Sequence, residues 1–395
     1  MRTDIAILGF GVVGAGTANV LDMNKEQIAS RIGTEIYVKH ILDLRDFPDS
    51  PFADRVTHDA DAVFGDKDIK IAVETIGGAR VAYEYTKRAL SAGITVVTSN
   101  KELVSTHGVE LLKLAKENGC QYLFEAAVGG GIPIIRPLYR CLAANKVVRI
   151  AGIVNGTTNY ILTQMKVAGI SFEEALAQAQ QNGFAEANPS ADIDGIDAQR
   201  KLSILSTIAL DGTYVAPSSI NAQGISNITL DDIEFASKIG CELKLIALFE
   251  NKEGSKPVAF VAPAYVSRES LIASVEGVFN AIMVEGNALG ESLFYGQGAG
   301  AIPTASAVCG DILEAAAGDK MPDSRIWEDK GDAIVPFGDV KTSIVVRAPA
   351  LPVTAFAEYD TIPLDGAVII KEIAHKNIEP LVSGIPGGKW MHYLK

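Results

Sequence analysis

The chain has 395 residues, of which 48% are hydrophobic and 21% are charged, and its formal net charge is −13. This composition is typical of a globular protein and excludes a largely disordered chain. The acidic balance disfavours nucleic acid and acidic membrane surfaces as partners, and no apolar run is long enough to span a membrane. At this length we expect two domains, with room for a third small element.

Neither the cysteines nor the histidines follow a recognisable site pattern. The four cysteines are far apart and form no CxxC pair, which disfavours zinc, a redox pair and a thioester-forming catalyst. The five histidines form no HExxH motif or close cluster. Scattered thiols, and an N-terminus that enters a strand at once without a signal peptide, predict a cytoplasmic protein.

A dinucleotide site is predicted at the N-terminal end. Residues 5–8 form an apolar run typical of a buried parallel strand, and a helical pattern begins soon after it. Between them lies a glycine-rich turn with the sequence Gly9-Phe10-Gly11-Val12-Val13-Gly14. The first glycine allows a tight turn, the second lets a pyrophosphate approach the backbone, and the third lets the helix pack closely. A strand, a glycine turn and a helix in this order favour nucleotide binding over a turn without a ligand.

The second predicted strand, residues 35–42, ends beside two residues that favour different cofactors. Asp43 would hold the ribose 2′-hydroxyl of NAD, whereas Arg45 would meet the 2′-phosphate of NADP. The residues alone therefore leave the choice between NAD and NADP open.

Further strands and helices alternate up to about residue 125. The strands are predicted at 69–76, 94–98 and 121–125, and the helices at 82–92 and 108–118. This alternation predicts a parallel, doubly wound sheet whose ligands bind beyond the carboxyl ends of the strands. Ser99, Lys101 and Glu125 lie at such ends. From its position alone, two interpretations of Lys101 are about equally good. It could bind a phosphate or a substrate carboxylate, or it could be a solvated lysine at the start of a helix.

After Pro133 the pattern changes to an α+β arrangement. Strands are predicted at 147–154, 241–250 and 257–262, and helices at 171–181, from about 197 to 210, and at 231–240. A glycine-rich turn at 296–300 precedes a further helix at 304–317. We interpret the middle part as a substrate domain with a sheet covered on one face.

The segment 183–201 has the sequence GFAEANPSADIDGIDAQRK and carries the chemistry of this domain. Asp197 and Lys201 are spaced i, i+4, so on a helix their side chains share one face. A carboxylate cluster beside a lysine can bind a cationic group and move a proton. The acids ahead of Lys201 are Glu186, Asp192, Asp194 and Asp197. Together with a cofactor that carries hydride, this cluster suggests a dehydrogenase.

This segment also permits two simpler interpretations. Asp197 and Lys201 on their own would be an exposed helix pair worth roughly 0.3–0.5 kcal/mol. The run Asp192-Ile193-Asp194-Gly195 suggests a calcium loop, but its last position would fall on Lys201, where a bidentate glutamate is required. We therefore reject calcium. Asp192 and Asp194 also suit the capping of a helix that starts near Asp197.

Six segments, in this order, closely resemble homoserine dehydrogenase. They are GFGVVG at 9–14, TSNKELVS at 98–105, EAAVGGGIPII at 125–135, NGTTNYIL at 155–162, the segment at 183–201, and GQGAGAIPTASAV at 296–308. The match spans about residues 4 to 315. The resemblance implies reversible reduction of L-aspartate 4-semialdehyde to L-homoserine with NADH or NADPH, on the route to threonine and methionine.

The resemblance also implies roles for individual residues. Lys201 matches the lysine that exchanges a proton with the C4 oxygen, and Lys101 matches a lysine near the nicotinamide and the substrate. Glu186 and Asp197 match the residues that hold the substrate ammonium group, and Asp192 matches a further acid of the site. Gly183 and Gly300 match glycines close to the cofactor.

A monovalent-cation site, usually filled by sodium, is implied in the same way. Its ligands would be Glu125 and the backbone carbonyls of Val128, Gly130 and Ile132. One departure from the family pattern is Asn188, where many members have aspartate. We expect it to be tolerated because Glu186 and Asp197 remain, with its effect on substrate affinity or pH optimum left open.

The predicted fold class is α/β, with a doubly wound Rossmann nucleotide-binding domain, an α+β substrate and dimerisation domain and a small C-terminal appendage. We assign residues 1–134 and about 302–325 to the first, 135–301 to the second and 326–395 to the third. The appendage has no convincing βαββαβ order, so we do not assign it as an ACT regulatory domain. Its role and any feedback by threonine are left open, and the resemblance implies a homodimer or a larger homo-oligomer.

Two other functions remain as alternatives. One is a different amino-acid-linked NAD(P) dehydrogenase on the same scaffold. The other is a non-catalytic NAD(P)-sensing protein. The complete set of Glu186, Asp197 and Lys201 argues against a sensor, because a sensor needs no group that moves a proton.

Overall fold

The computed structural model describes residues 2–318 and 326–395. The chain divides into two compact units. The first comprises Met1–Ala144, Ser203–Tyr214 and Gly296–Gly331, and the second comprises Asn145–Leu202, Val215–Tyr295 and Asp332–Lys395. The end of the predicted stretch 302–325 lies outside the described residues.

The first unit is built on a six-stranded parallel sheet. Its strands are β1 (Arg2–Leu8), β2 (Glu35–Leu42), β3 (Val56–Thr57), β4 (Ile69–Glu74), β5 (Thr95–Thr98) and β6 (Tyr122–Leu123). Their spatial order is β3-β2-β1-β4-β5-β6, and every pair is parallel. This is the strand order of a doubly wound dinucleotide-binding sheet, so the predicted fold class is confirmed.

The helices that connect these strands are α1 (Val12–Met23), α2 (Lys25–Ile32), α3 (Ala60–Phe64), α4 (Arg80–Ser91) and α5 (Lys101–Glu117). Two details differ from the prediction. Helix α5 begins seven residues before position 108, because the Asn100 side chain accepts the N–H of Leu103 and caps the helix there. The predicted strand 121–125 is reduced to Tyr122–Leu123, and a 3₁₀ turn at Glu125–Ala127 follows it.

The second unit contains a ten-stranded mixed sheet. The strands are β7 (Val147–Ile153), β8 (Asn221–Ala222), β9 (Cys241–Glu250), β10 (Val258–Ser267), β11 (Phe279–Gly286), β12 (Gly290–Gln297), β13 (Lys341–Arg347), β14 (Thr361–Leu364), β15 (Ala367–Ala374) and β16 (Lys389–Leu394). Their order is β12-β11-β7-β9-β10-β16-β13-β15-β14, with β8 paired to β10. The C-terminal strands β13–β16 therefore belong to this sheet, and β16 joins it parallel to β10.

The remaining helices are α6 (Gly156–Ala168), α7 (Phe172–Gln181), α8 (Ser190–Ile193), α9 (Ile196–Ala209), α10 (Leu230–Lys238), α11 (Ala301–Ala316) and α12 (Ile378–Ser383). Helices α6 and α10 pack on strands of the second sheet, whereas α11 packs against α1 in the first unit. The tail runs β13, β14, β15, α12, β16, which differs from a βαββαβ order. Within the described ranges, no helix combines the length and the apolar character needed to cross a bilayer.

Candidate active site

The glycine turn after β1 has the geometry of a phosphate-binding loop. Gly9 has φ of 90°, a conformation that favours glycine, and its carbonyl accepts the Thr75 hydroxyl at 2.7 Å. A Cβ on Gly14 would overlap that same carbonyl oxygen, whereas a Cβ on Gly11 would meet no atom within 4 Å. The turn thus brings the α1 N-terminus close to β1 and leaves open space at Gly11, which fits a bound pyrophosphate.

The end of β2 holds Asp43 in a network of hydrogen bonds. Its carboxylate accepts the backbone N–H of Phe10 at 2.7 Å and the guanidinium of Arg45 at 3.0 and 3.1 Å. Partial burial raises the pKa of Asp43, but the hydrogen bonds from Arg45 and Phe10 outweigh it and lower that pKa to about 2. Asp43 is therefore ionised at neutral pH and is tied to the glycine turn, with the mostly exposed Arg45 beside it.

The carboxyl ends of β4 and β5 meet at a buried acid that the sequence analysis did not single out. Glu74 is fully buried and accepts the Thr98 hydroxyl at 2.5 Å and the Ile76 N–H at 2.7 Å. Burial raises the pKa of Glu74 to about 7, although both hydrogen bonds oppose the rise. Its position as the last residue of β4 was the available signal, because ligands bind at such ends. Ser99 and Lys101 follow directly after β5, and Lys101 is the first residue of α5.

In the second unit, Lys201 and Asp197 form a buried ion pair on α9. Lys201 Nζ lies 2.7 Å from Asp197 Oδ2 and 2.6 Å from the carbonyl oxygen of Val154. The two residues are only 8% and 3% exposed, so this is not the exposed helix pair of the simpler interpretation. The carbonyl of Val154 orients the ammonium group from the end of β7, a contact that the sequence did not reveal.

Asp192 is joined to this pair through Asn155. The Asn155 amide donates to Asp192 Oδ1 at 2.7 Å and to Asp197 Oδ2 at 2.9 Å. Asp192 lies within α8, and the turn at Gly195, whose φ is 80°, leads into α9 and brings both acids to the same amide. Asn155 is not among the predicted site residues, although its position after a strand and before a helical run is a recognisable N-cap signal.

Glu186 lies outside this hydrogen-bonded group. It is exposed on the loop between α7 and α8, as is Gly183. The loop is tied to α6 because the Thr157 hydroxyl donates to the Phe184 carbonyl at 2.6 Å. Asn188, the departure from the family pattern, accepts the Ser190 hydroxyl at 2.9 Å at the start of α8. Its amide thus has a local role in the turn.

Glu125 is the centre of a separate buried group in the first unit. Its Oε1 accepts the N–H groups of Ile134 and Ile135 at 2.6 and 2.8 Å, and its Oε2 accepts the N–H of Arg136 at 2.6 Å. The carboxylate therefore caps the helical turn that starts there. Because each carboxylate oxygen has two lone-pair positions, Oε2 retains capacity for one more partner.

The loop after Glu125 supplies the other residues of the implied cation site. Val128, Gly130 and Ile132 are buried, and their carbonyl oxygens accept no backbone hydrogen bond from the described residues. Carbonyl and carboxylate oxygens suit a hard cation, so the donor set is compatible with the implied ion. No group of three His, Cys, Asp or Glu side chains within residues 2–318 and 326–395 is arranged to hold a metal. Gly300, the remaining predicted residue, precedes α11 in the first unit.

Comparison with known proteins identifies the family. Residues 9–125 match the family model described as homoserine dehydrogenase, NAD binding domain, and residues 133–313 match the model described as homoserine dehydrogenase. A curated homoserine dehydrogenase from Pseudomonas aeruginosa is 42% identical over 78% of this chain and 71% of its own length. The chain belongs to the homoserine dehydrogenase family. A second member, from Corynebacterium glutamicum, is 41% identical over 85% of this chain and 76% of its own length.

Solved structures of the family share the fold over most or all of this chain. A homoserine dehydrogenase from Thiobacillus denitrificans has a TM-score of 0.89 at 34% identity and covers 100% of this chain and 98% of its own. A hyperthermophilic archaeal homoserine dehydrogenase in complex with NADPH has a TM-score of 0.68 at 30% identity, over 81% of this chain and 99% of its own. Family membership makes this chain an NAD(P)-dependent oxidoreductase that acts on a CH–OH group.

Proposed function

We propose that this protein reversibly reduces L-aspartate 4-semialdehyde to L-homoserine with NADH or NADPH, in the biosynthesis of threonine and methionine. The observation that carries the proposal is the group of buried Lys201, Asp197 and Asn155 with the half-buried Asp192, joined by contacts of 2.7 to 2.9 Å. An amino-acid substrate needs carboxylates for its ammonium group and a proton donor for its reacting oxygen. This group offers both.

Lys201 is the proposed proton carrier. When bound, the reduced nicotinamide supplies the hydride, and the reacting oxygen then needs a proton or a positive charge beside it. The Lys201 ammonium group is held by Asp197 and by the Val154 carbonyl, which keeps it in one orientation. A group held in this way acts with little loss of entropy, and in the reverse direction the same nitrogen takes the proton back.

The carboxylates are the proposed binding site for the substrate ammonium group. Asp197 and Asp192 are held by one amide, and Glu186 lies on the exposed loop that Thr157 ties to α6. Lys101, at the start of α5, is the proposed partner of the substrate carboxylate or of the cofactor. The glycine turn, Asp43 and Arg45 are the proposed contacts of the dinucleotide, with Ser99, Gly183 and Gly300.

We also propose that a sodium ion binds at Glu125 and the carbonyls of Val128, Gly130 and Ile132. These residues are buried, their carbonyls receive no backbone N–H among the described residues, and Glu125 Oε2 has remaining capacity, all of which supports this. A cytoplasmic homodimer or larger assembly is proposed from the resemblance. The four cysteines, all of them free thiols, are consistent with that compartment.

The test is the appearance of reduced nicotinamide when L-homoserine is added with NAD or NADP in the presence of sodium. We expect turnover, and a fall in kcat of about 100-fold or more in Lys201→Ala, the low end of what acid–base catalysis supplies. Lys113→Ala is a matched control, because Lys113 and Glu117 are an exposed i, i+4 pair 3.9 Å apart. Folded protein without homoserine-dependent turnover would exclude the proposed substrate, and an unaffected Lys201→Ala variant would exclude the proposed proton carrier.

A further inference from the structure

Asn155 has two fixed partners at once, one on each end of its amide group. Its Oδ1 accepts the N–H of Thr158 at 2.9 Å, which makes it the N-cap of α6. Its Nδ2 donates to Asp192 and Asp197 on α8 and α9. The capping bond determines which end of the amide is oxygen, because a flipped amide would direct its oxygen at two carboxylates. The residue is 5% exposed, so its orientation is fixed by packing as well.

The two carboxylates carry like charges near a common point, and Asp197 is also paired with Lys201 at 2.7 Å. Carboxylates that share a site favour uptake of a proton, unless hydrogen bonds stabilise their ionised forms. One uncharged amide stabilises both, and it donates to Asp197 Oδ2, the oxygen that also receives Lys201 Nζ. The geometry of the ion pair and that of the acid pair are therefore coupled through Asn155.

We propose that Asn155 is a positioning residue that keeps Asp192 and Asp197 ionised and at a fixed spacing, and thereby keeps Lys201 oriented. The inference deepens the proposed function and rests on it. Asn155 itself exchanges no proton. It determines the orientation of Asp192, Asp197 and Lys201 relative to an amino-acid substrate.

Among the hydrogen bonds of the described residues, the charged groups joined to Asn155 directly or through Asp197 come from two elements of the second unit. Asp192 is on α8, and Asp197 and Lys201 are on α9. Lys244 on β9 also contacts α6, but at Asn159, one turn further along the helix. A substitution at position 155 should therefore change mainly the ionisation of Asp192, Asp197 and Lys201.

Asn155→Asp tests the proposal while preserving the cap, since asparagine and aspartate are equally good N-caps. It replaces the shared donor with a third carboxylate of the same size. We expect kcat/KM for L-homoserine to fall about 100-fold, and the acidic limb of its pH profile to move up by about one unit, because a third carboxylate favours protonated forms. The dissociation constant of NADPH, measured by its fluorescence, should stay within about twofold of the original.

Two further variants separate this role from helix capping. Asn155→Ser keeps a capping hydroxyl but has no amide that reaches both acids. We therefore expect kcat/KM for L-homoserine to fall about tenfold, and the acidic limb of its pH profile to shift less than in Asn155→Asp. Ser171→Ala removes the capping box of α7 and should leave the pH profile unchanged.

The outcomes are distinguishable. If the original protein turns over L-homoserine but both Asn155 variants keep its kcat/KM within threefold and its acidic limb, the inference is wrong and the proposed function stands. If the original protein has no homoserine turnover, both are wrong. If Asn155→Asp fails to fold, the pH profile of Asn155→Ser decides.

Discussion

Gly14 lies directly against the carbonyl group of Gly9. A Cβ on Gly14 would overlap that carbonyl oxygen and come within 2.8 Å of the Thr75 hydroxyl oxygen. The hydroxyl in turn donates to the same carbonyl. Gly11, in the middle of the turn, has no atom within 4 Å of its missing Cβ. Two glycines of one motif therefore differ in purpose, since Gly14 permits packing and Gly11 leaves space for a ligand.

This difference predicts opposite effects for two alanine variants. Gly14→Ala should destabilise the protein by about 1–3 kcal/mol, as overpacking does, and lower the midpoint of thermal unfolding. Gly11→Ala should keep the original midpoint but weaken NADPH binding by about tenfold or more, because the methyl group occupies the proposed pyrophosphate position. Thermal unfolding and fluorescence titration measure the two effects. Equal NADPH affinity in Gly11→Ala and the original protein would contradict the proposed location of the pyrophosphate.

Cofactor preference should depend on the contact between Asp43 and Arg45. Asp43→Ser removes a charge that repels a 2′-phosphate, so the ratio of kcat/KM for NADP to that for NAD should rise about tenfold. Arg45→Ala should lower the same ratio about tenfold, since a hydrogen bond between charged groups contributes about 1.5–3 kcal/mol. Steady-state kinetics with both cofactors at saturating L-homoserine gives the ratios. If the ratio changed in the same direction in both variants, these residues would not contact the 2′ position of the cofactor.

Glu125 should influence stability and the response to sodium separately. Glu125→Ala leaves the N–H groups of Ile134, Ile135 and Arg136 without their acceptor, and we expect a loss of about 3 kcal/mol in the free energy of unfolding. Glu125→Gln retains one acceptor oxygen and should lose less of the free energy of unfolding. If the cation site is real, sodium chloride should increase the rate of the original protein more than choline chloride does, and Glu125→Gln should lose that difference. A rate that is independent of the cation in the original protein would exclude the sodium site.

The raised pKa of Glu74 should make the stability of the protein depend on pH. Its pKa is raised from 4.5 to about 7 in the folded state, so between these values the folded protein binds more protons than the unfolded chain. Stability from this group is therefore complete below pH 4.5 and is lost as the pH rises through 7, by about 3 kcal/mol. Glu74→Gln stays neutral, so its urea midpoint should fall less between pH 5 and pH 7.5 than that of the original protein. If the urea midpoints of the two proteins fell equally between pH 5 and pH 7.5, a raised pKa for Glu74 would be contradicted.

Features that depend on neighbours along the chain were predictable from the amino-acid sequence. The apolar run 5–8 and the glycine turn predicted the first strand and the start of α1, because strand burial and turn sterics are local properties. The i, i+4 spacing predicted the contact between Asp197 and Lys201, because helix periodicity alone brings such side chains together. The parallel, doubly wound sheet was predicted from the alternation of strands and helices and is confirmed, whereas its strand order came from the structure.

The distant groups that complete these features became known from the packed structure. Asn155 reaches Asp192 and Asp197 across 37 and 42 positions, and Glu125 accepts amides 9 to 11 residues later. Strand β16 joins β10 although more than 100 residues separate them. Periodicity encodes the face on which a side chain lies but not the group that will be packed against that face. Those partners, and with them the burial of Lys201 and Glu74, are determined when the sheets and helices pack.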